Sequence, residues 1–286
     1  MARTIKIIFI CISGLLLSHC LSQKTVQKKE KKQEAKKTAV EKKQPGPVFL
    51  LQKETHFYND DAVFLIIEYA YDKQKLIKVS EKDDSNTVLK YSEYVYEKSS
   101  IIENITDTMQ KSTIKKILKY QEIGQNYVGI NVLEESVYEK DKKLRSQIKY
   151  EYDKNNQLQK SLIYTEQDIL NYKVNYEYDS NGKKSRIVYM TPADLVDQTT
   201  SYEYSADGKQ VKEIFHDNQN KLIKARTHYY QKKLLMKTEH FNSSKALLYV
   251  EVYDYDEKNN LIKKSILDQA GVISEYIVYE YIEHKN

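Results

Sequence analysis

Residues 170–182 read LNYKVNYEYDSNG. Apolar and aromatic residues occupy every second position from Leu170 to Tyr178, and polar residues lie between them. A period of two places the first set on one face of a β-strand and the second set on the other face. The Asp-Ser-Asn-Gly that follows supplies residues that tolerate the positive φ of a tight turn. This stretch therefore predicts a half-buried strand that ends in a hairpin turn.

The Tyr-x-Tyr end of this strand recurs along the chain. From residue 150 onward, successive copies begin 26, 26, 26, 25 and 26 residues apart, with His228 in place of the first tyrosine in one copy. A fixed period of this size is typical of a repeat architecture. The tyrosines predicted to form the face of the repeat are Tyr150, Tyr152, Tyr176, Tyr178, Tyr202, Tyr204, Tyr253, Tyr255, Tyr279 and Tyr281. The residues predicted to form its turns are Asp153, Asp179, Gly182, Gly208 and Asp256.

Each period has room for a second strand and a second turn. After the first turn the chain resumes with aliphatic residues and lysines, as in residues 158–164 (LQKSLIY), and a looser turn near 166–168 leads into the next Tyr-x-Tyr strand. Connections this short allow only antiparallel neighbours. The sequence therefore predicts an all-β fold, an antiparallel β-meander of two-stranded units with about 14 to 18 strands. One large sheet of this size is expected to be twisted, coiled or closed.

Residues 99–137 fit the repeat less well. Isoleucines such as Ile101, Ile105 and Ile114 could form one face of a helix, but the gap of 56 residues between Tyr94 and Tyr150 is close to two periods and favours strands. If the sheet is open, its edge strands could pair with an extended segment of a partner.

A transmembrane β-barrel is the competing architecture. It requires an apolar row facing the lipid, and charges at Lys173, Arg186 and Glu251 interrupt the strands.

The N-terminus has the order of a secretory signal. Arg3 and Lys6 precede an apolar run from Ile7 to Leu17, which is too short to cross a bilayer. We divide the chain into a signal peptide (1–19), a Lys-rich flexible tether (20–47) and a Tyr-rich β-repeat domain (48–286). Residues 1–47 carry 11 Lys or Arg and 3 acidic residues, so a net charge of +5 leaves −3 for residues 48–286. The repeat domain is therefore not basic, and export argues against a nucleic-acid partner.

Two resemblances to known families indicate the class of protein. Residues 17–20 (LSHC) resemble the lipobox of bacterial lipoproteins, in the relaxed form of spirochaetal surface lipoproteins, and Cys20 is the last cysteine of the chain. That resemblance implies three acyl chains, palmitate among them, on Cys20 as the first residue of the mature chain, which makes release from a membrane very slow. Residues 69–286 resemble the YD repeats of the Rhs family, which implies a shared way of building a sheet and not the toxin-shell function.

No catalytic motif is recognisable. The chain lacks the Gly-rich phosphate loops, the Gly-x-Ser-x-Gly elbow and the His-Glu-x-x-His zinc motif. We therefore predict a protein that is not an enzyme and needs no cofactor or metal. His216, His228 and His240 lie 12 residues apart, but strand pairing would place His216 opposite about residue 221 and His228 opposite about residue 237, so the three histidines should not converge.

The tyrosine rows allow two interpretations. They either hold neighbouring strands together through cross-strand pairs, or they expose a ladder of rings that binds a protein or a glycan. Resemblance to spirochaetal surface lipoproteins implies an adhesin that binds host extracellular-matrix proteins or plasminogen. The alternative is a periplasm-facing structural or assembly lipoprotein of the outer membrane. In both cases the membrane is a partner through acylated Cys20, and the expected location is the outer membrane.

Overall fold

The computed structural model describes residues 47–122 and 130–284. Eighteen β-strands form the regular structure of this part of the chain, so the expected all-β class is confirmed. The predicted signal peptide, Cys20 and residues 21–46 of the predicted tether lie outside the described residues. The strands are β1 (Val48–Tyr58), β2 (Val63–Asp72), β3 (Lys75–Lys82), β4 (Val88–Tyr96), β5 (Ser100–Asp107), β6 (Ser112–Glu122), β7 (Ile130–Glu139), β8 (Leu144–Tyr152), β9 (Leu158–Thr165), β10 (Leu170–Tyr178), β11 (Lys184–Met190), β12 (Val196–Tyr204), β13 (Gln210–Asp217), β14 (Leu222–Gln231), β15 (Leu234–Asn242), β16 (Leu247–Tyr255), β17 (Leu261–Leu267) and β18 (Ile273–His284).

The sheet closes on itself. Each strand pairs antiparallel with its neighbours in the chain, and β1 also pairs with β18, from Val48 opposite His284 to Tyr58 opposite Glu275. The expected meander is therefore confirmed, and of its three expected forms the closed one is correct. Because closure pairs the strands that would be the edges of an open sheet, the expectation of an edge strand that could accept a partner segment is wrong.

The uncertain region 99–137 is built of strands wherever the structure describes it. β5 and β6 form a hairpin in which Ile101 lies opposite Leu118 and Ile105 lies opposite Ile114. β6 then pairs with β7. The strand interpretation is confirmed for these residues and the helical one is wrong, because the aliphatic residues pair across two strands.

The turns share one backbone design. In twelve of them, the first residue donates its N–H to the carbonyl of the fifth and accepts the N–H of the fourth, and the fourth residue has positive φ. This is a type I turn followed by a left-handed residue, which suits the twist of the flanking strands. Gly182 and Gly208, with φ of 76° and 86°, are two of these fourth residues. The others include Asn156 and Asn259, which explains why asparagine replaces glycine there.

The predicted turn aspartates cap this design. Oδ1 of Asp179 accepts the N–H groups of Asn181 at 2.9 Å and of Lys183 at 2.8 Å. Asp153 and Asp256 accept the corresponding pairs at 2.8 to 2.9 Å. The backbone N–H of Gln157 is the main group that holds the pKa of Asp153 below its usual range. Each side chain therefore stabilises its own turn.

We expect Asp179→Ala to lower the free energy of unfolding by about 1 kcal/mol, because two backbone N–H groups lose their acceptor. Asp179→Asn is the matched control and should lose much less, since Asn242 accepts the same two N–H groups in its own turn. Urea unfolding followed by circular dichroism measures both. Equal losses from the two variants would contradict the capping role.

A β-bulge recurs in almost every strand pair. Sixteen of the eighteen pairings shift register by one residue. The extra residue usually stands near the start of a strand, as Ser185, Asp197 and Ile223 do. A bulge bends its strand and increases the local twist. Repetition at nearly every hairpin therefore gives the sheet the curvature that closes it.

Register defines an inner and an outer face. Tyr176, Tyr202 and Glu213 lie on one face, and although they belong to three different strands, the pKa of Tyr202 is affected by both of the others. Side chains converge on the concave side of a curved sheet and diverge on the convex side. We therefore identify this face as the inner one.

The outer face carries cross-strand ion pairs. The residue between the two tyrosines of a pair is acidic in several repeats and lies opposite a basic residue of the next strand. Nitrogen to oxygen distances are 3.6 Å for Lys160 and Glu151, 4.0 Å for Arg186 and Glu177, and 3.7 Å for Lys212 and Glu203. Exposed pairs of this kind contribute about 0 to 1 kcal/mol each. They place charge at regular intervals round the outside of the barrel.

Candidate binding site on the inner face of the barrel

The predicted tyrosines gather at one end of the barrel. Even-numbered strands all run in the same direction, so their Tyr-x-Tyr ends form one rim, which we call the tyrosine rim. The chain enters β1 at Val48 and leaves β18 at His284 at this same rim. Within each pair, both tyrosines lie on the inner face, because residues two apart in a strand share a face.

The first tyrosine of each pair is the more buried one. Tyr150 lies opposite Ser161, Tyr202 opposite Glu213 and Tyr253 opposite Lys264. Burial is the largest cause that raises the pKa of all five first tyrosines of the predicted set, Tyr150, Tyr176, Tyr202, Tyr253 and Tyr279. These rings stay neutral at physiological pH and pack along the inner wall.

The second tyrosine of each pair ties its strand to the strand before it. Its hydroxyl donates to a backbone carbonyl 20 residues earlier, at 2.7 to 3.0 Å. The seven donor and acceptor pairs are Tyr71 to Leu51, Tyr96 to Leu76, Tyr152 to Val132, Tyr178 to Leu158, Tyr204 to Lys184, Tyr255 to Leu235 and Tyr281 to Leu261. This bond gives the tyrosine a role that phenylalanine cannot fill. Burial also raises the pKa of Tyr281 to about 12.

We expect Tyr204→Phe to lower the free energy of unfolding by about 1 kcal/mol, because the carbonyl of Lys184 loses its hydroxyl donor. Tyr230→Phe is the matched control. Tyr230 is the second-last residue of β14 and occupies the equivalent position, but the described residues show no such bond for its hydroxyl, so its loss should change stability little. Denaturant unfolding of both variants tests this, and an equal loss in both would show that the bond contributes nothing.

A polar cluster centred on Glu213 interrupts the row of tyrosines on the inner face. Its carboxylate accepts hydrogen bonds from Nη1 of Arg226 at 3.1 Å and Nε2 of Gln210 at 2.7 Å, and lies 3.8 Å from Nε2 of His228. Burial alone would raise the pKa of Glu213, but the contact with His228 and the charge of Arg226 outweigh it and lower the pKa. Glu213 is therefore an ionised carboxylate on the inner face.

A second cluster surrounds Glu251 on β16. Its carboxylate accepts the hydroxyl of Tyr253 at 2.7 Å and lies 3.2 Å from Nε2 of His240 and 3.7 Å from Nζ of Lys264. Burial would raise the pKa of Glu251, but these partners lower it to about 2. The ring of His240 also stacks on Tyr249 at 4.1 Å. The side chain of Glu251 is 18% exposed, so solvent reaches this cluster only in part.

The two clusters form one network. Nδ1 of His228 lies 3.1 Å from the hydroxyl of Thr238, which is 2% exposed. Thr238 lies opposite Glu251, and Arg226 lies opposite His240. Charged and hydrogen-bonding side chains are thus continuous across the inner face from β13 to β17.

A related arrangement occurs where the barrel closes. Glu54 is 8% exposed and accepts the hydroxyl of Tyr69 at 2.6 Å. Nε2 of His56 lies 3.4 Å from the other carboxylate oxygen of Glu54, and Tyr279 on β18 is the register partner of Glu54. Burial and the charge of Glu54 both raise the pKa of Tyr69. The inner face therefore repeats the combination of tyrosine, glutamate and histidine.

The three histidines do not converge, as the expected strand pairing predicts. His216 lies opposite Thr199 on the outer face and Leu222 on the next strand, while His228 lies opposite Thr238. His228 and His240 lie on the inner face of adjacent strands, each with its own glutamate. Within residues 47–122 and 130–284, no three His, Cys, Asp or Glu side chains are grouped so as to hold a metal ion.

Sequence reasoning missed the charged residues of this wall. Glu251 stands two residues before Tyr253, and Glu213 lies in phase with Phe215, so both occupy the aromatic face of their strands. A charge in phase with the aromatic row is the signal that could have identified them. The partners Arg226 and His228 could be assigned only once the strand register was known.

No protein-family model matches the sequence, and comparison with curated proteins gives no match. Among solved structures, a porin-like protein from Bacteroides uniformis is 8% identical with a TM-score of 0.45, over 80% of this chain and 96% of that one. A porin-like protein from Bacteroides vulgatus is 11% identical with a TM-score of 0.34, over 81% and 98%. The Photorhabdus luminescens Tc holotoxin pore is 14% identical with a TM-score of 0.23, over 76% of this chain and 15% of that one. Likeness at these TM-scores carries no conclusion about function. The described residues include no helix long and apolar enough to cross a membrane.

Proposed function

We propose that this chain is a non-enzymatic binding lipoprotein of the bacterial outer envelope, anchored by acylated Cys20, whose barrel presents a ligand-binding inner wall. The observation that carries the proposal is the chemistry of that wall. The buried residues of the inner face include Glu54, Glu103, Lys116, Thr200, Thr238 and His240. An interior built only for stability is expected to be mainly apolar.

The inner wall offers what a polar ligand needs. Half-buried tyrosine rings supply contact area with a hydrogen-bonding tip, and the network from Glu213 to Glu251 supplies fixed charges. The ligands favoured by this chemistry are glycans and polar segments of proteins, in the host or in the envelope.

The geometry also supports an orientation. Val48 lies at the tyrosine rim, so an anchor at Cys20 would attach the barrel to the membrane from that end. The 27 residues that follow Cys20 in the tether span at most about 90 Å when extended. The opposite rim would then point away from the membrane. A surface-exposed barrel in this orientation would act as an adhesin, as the lipoprotein resemblance implies.

Two experiments test the proposal. Mass spectrometry of the mature N-terminus should find an acylated Cys20, and Cys20→Ala should release the protein from membranes. Protease treatment of intact cells should then digest the barrel. An unmodified N-terminus would overturn the anchoring, and a barrel that resists protease until the outer membrane is broken would overturn the adhesin function in favour of a periplasm-facing role.

A further inference from the structure

Two lysines on the inner face have no carboxylate partner. Within the described residues, neither Lys184 nor Lys224 lies within 4.0 Å of an acidic side chain, whereas Lys160, Lys212 and Lys264 each have a glutamate partner. Their ammonium groups lie over aromatic rings instead. Nζ of Lys184 is 5.4 Å from the ring centre of Tyr176 and 6.0 Å from that of Tyr202, and Nζ of Lys224 is 4.7 Å from that of Phe215.

Two nitrogen atoms beside these lysines are buried without a hydrogen-bond partner. They are Nε of Arg226 and Nε2 of His228, two residues apart on the inner face of β14. Glu213 lies 3.8 Å from Nε2 of His228, which is beyond hydrogen-bond distance, and it already accepts hydrogen bonds from Nη1 of Arg226 and Nε2 of Gln210. Buried polar atoms in native structures are nearly always partnered, so these two nitrogen atoms are candidate donors to an acceptor bound at this wall.

The four strands β11 to β14 bring these groups together. Phe215 and Lys224 are register partners, as are Tyr202 with Glu213 and Glu213 with Arg226. Lys184, Lys224 and Arg226 are cationic, whereas Glu213 is the one carboxylate whose charge affects the pKa of both lysines. This leaves an excess of positive charge on a partly desolvated wall. Burial is the largest cause that lowers the pKa of both Lys184 and Lys224, as expected for cations that lack a counter-ion.

We propose that the inner wall formed by Lys184, Lys224, Arg226 and His228 binds an anionic saccharide through its carboxylate or sulfate group. The planar guanidinium and the two ammonium groups match such an anion. Tyr202 and Phe215, whose faces carry these cations, offer ring edges to the sugar, and the amide oxygen of Gln210, whose Nε2 already binds Glu213, offers an acceptor for a sugar hydroxyl. This inference deepens the proposed function and rests on it for the biological setting, but binding can be measured apart from anchoring.

Calorimetric titration of the soluble mature chain carrying Cys20→Ser tests the site. The probe is a tetrasaccharide of galacturonic acid, the matched neutral probe is its methyl ester, and inorganic sulfate is the free anion. We expect the acidic tetrasaccharide to bind, its methyl ester to bind at least about tenfold more weakly, and sulfate to compete only at much higher concentration. Equal binding of acid and ester, or no binding of either, would overturn the proposal. Sulfate as strong as the tetrasaccharide would reduce the site to a simple anion site and overturn the saccharide part.

Variants on the two faces of β13 and β14 locate the site. Lys224→Gln should lower the affinity for the tetrasaccharide by about tenfold. Glu213→Gln removes the competing carboxylate and should raise that affinity by several-fold. Lys212→Gln is the matched control. Lys212 precedes Glu213 but lies on the outer face with Glu203, so its loss removes the same charge and should leave binding unchanged. A loss of stability alone cannot tighten binding, so Glu213→Gln separates the proposal from misfolding.

The outcomes also separate this inference from the proposed function. Saccharide binding that follows the predicted pattern in a protein that proves to face the periplasm would keep the site and remove the adhesin role. An acylated, surface-exposed protein whose Lys224→Gln and Lys212→Gln variants bind equally would keep the envelope function and overturn this site.

Discussion

Replacing Tyr176 by alanine is expected to lower the free energy of unfolding by about 3 kcal/mol. Its ring packs on the inner wall opposite Ile187, which is 7% exposed. Its hydroxyl lies 3.2 Å from that of Ser161 on β9, and Nζ of Lys184 lies over its face. Removal of the ring leaves a cavity that strand pairing prevents from collapsing, and that cavity accounts for the size of the loss.

Two variants keep this prediction falsifiable. Tyr176→Phe retains the ring and should lose about 1 kcal/mol or less, since only one hydroxyl contact disappears. Tyr229→Ala removes a ring of the outer face that is 41% exposed and should lose no more than about 1 kcal/mol. Urea unfolding at neutral pH measures all three. If the loss from Tyr229→Ala equals that from Tyr176→Ala, the inner tyrosine row is not the packed face of the sheet.

The second large effect concerns acid stability. Glu251 has a pKa of about 2 in the folded barrel, compared with 4.5 as its ordinary value. Because the folded pKa is the lower one, the carboxylate stabilises the barrel above about pH 5, and this contribution disappears as the pH falls toward 2. A shift of this size corresponds to about 3 kcal/mol. Glu251→Gln should therefore destabilise the protein by about this amount at pH 7.

The pH dependence gives the decisive comparison. The difference in free energy of unfolding between the parent and Glu251→Gln should shrink progressively between pH 5 and pH 2, because the parent glutamate is then protonated and neutral like glutamine. Glu203→Gln is the control, since the side chain of Glu203 is 54% exposed and its ion pair with Lys212 is long. Urea unfolding at several pH values measures both. A difference for Glu251→Gln that stays constant with pH would mean that the lowered pKa contributes nothing to stability.

The strands and turns could be predicted because they depend on local pattern. Residues 170–182 alternate strictly and end in Asp-Ser-Asn-Gly, and the structure gives them a strand and a turn with Gly182 at positive φ. Even the weakly repeating hairpin of β5 and β6 keeps its aliphatic residues in register. These features depend only on the hydrophobic pattern and turn residues of a short stretch of sequence, which favour the same local structure.

Closure of the sheet could not be predicted in the same way. It depends on curvature added by one bulge at nearly every hairpin, and the extra residues have no chemistry in common, as Ser185, Asp197 and Ile223 illustrate. β1 completes the ring although it lacks the Tyr-x-Tyr motif, as do the other odd-numbered strands and β6. A sum of small bends over eighteen strands has no signature in any single stretch of sequence.

The candidate site depends on register as well as on residue type. The tyrosine rows are visible in the sequence, but the pairing of Glu213 with Arg226 joins residues 13 apart through a bulged hairpin, where a shift of one position would place Arg226 on the outer face. The sequence therefore predicted the row of tyrosines on the inner face, but it did not predict which charged side chains lie on that face. The same reasoning explains why the histidines were correctly expected to separate while their glutamate partners were overlooked.

No strand of the closed barrel occupies a special position as the first strand. Every strand contacts only its two neighbours, and Val48 lies beside His284. A circular permutant that joins these two positions and opens the turn at 205–209 would therefore make the same interior pairings in a new order. The same topology makes the links interdependent. Loss of any one strand pairing would turn the closed sheet into an open one with two unpaired edge strands. The least stable hairpin therefore limits the stability of the whole barrel.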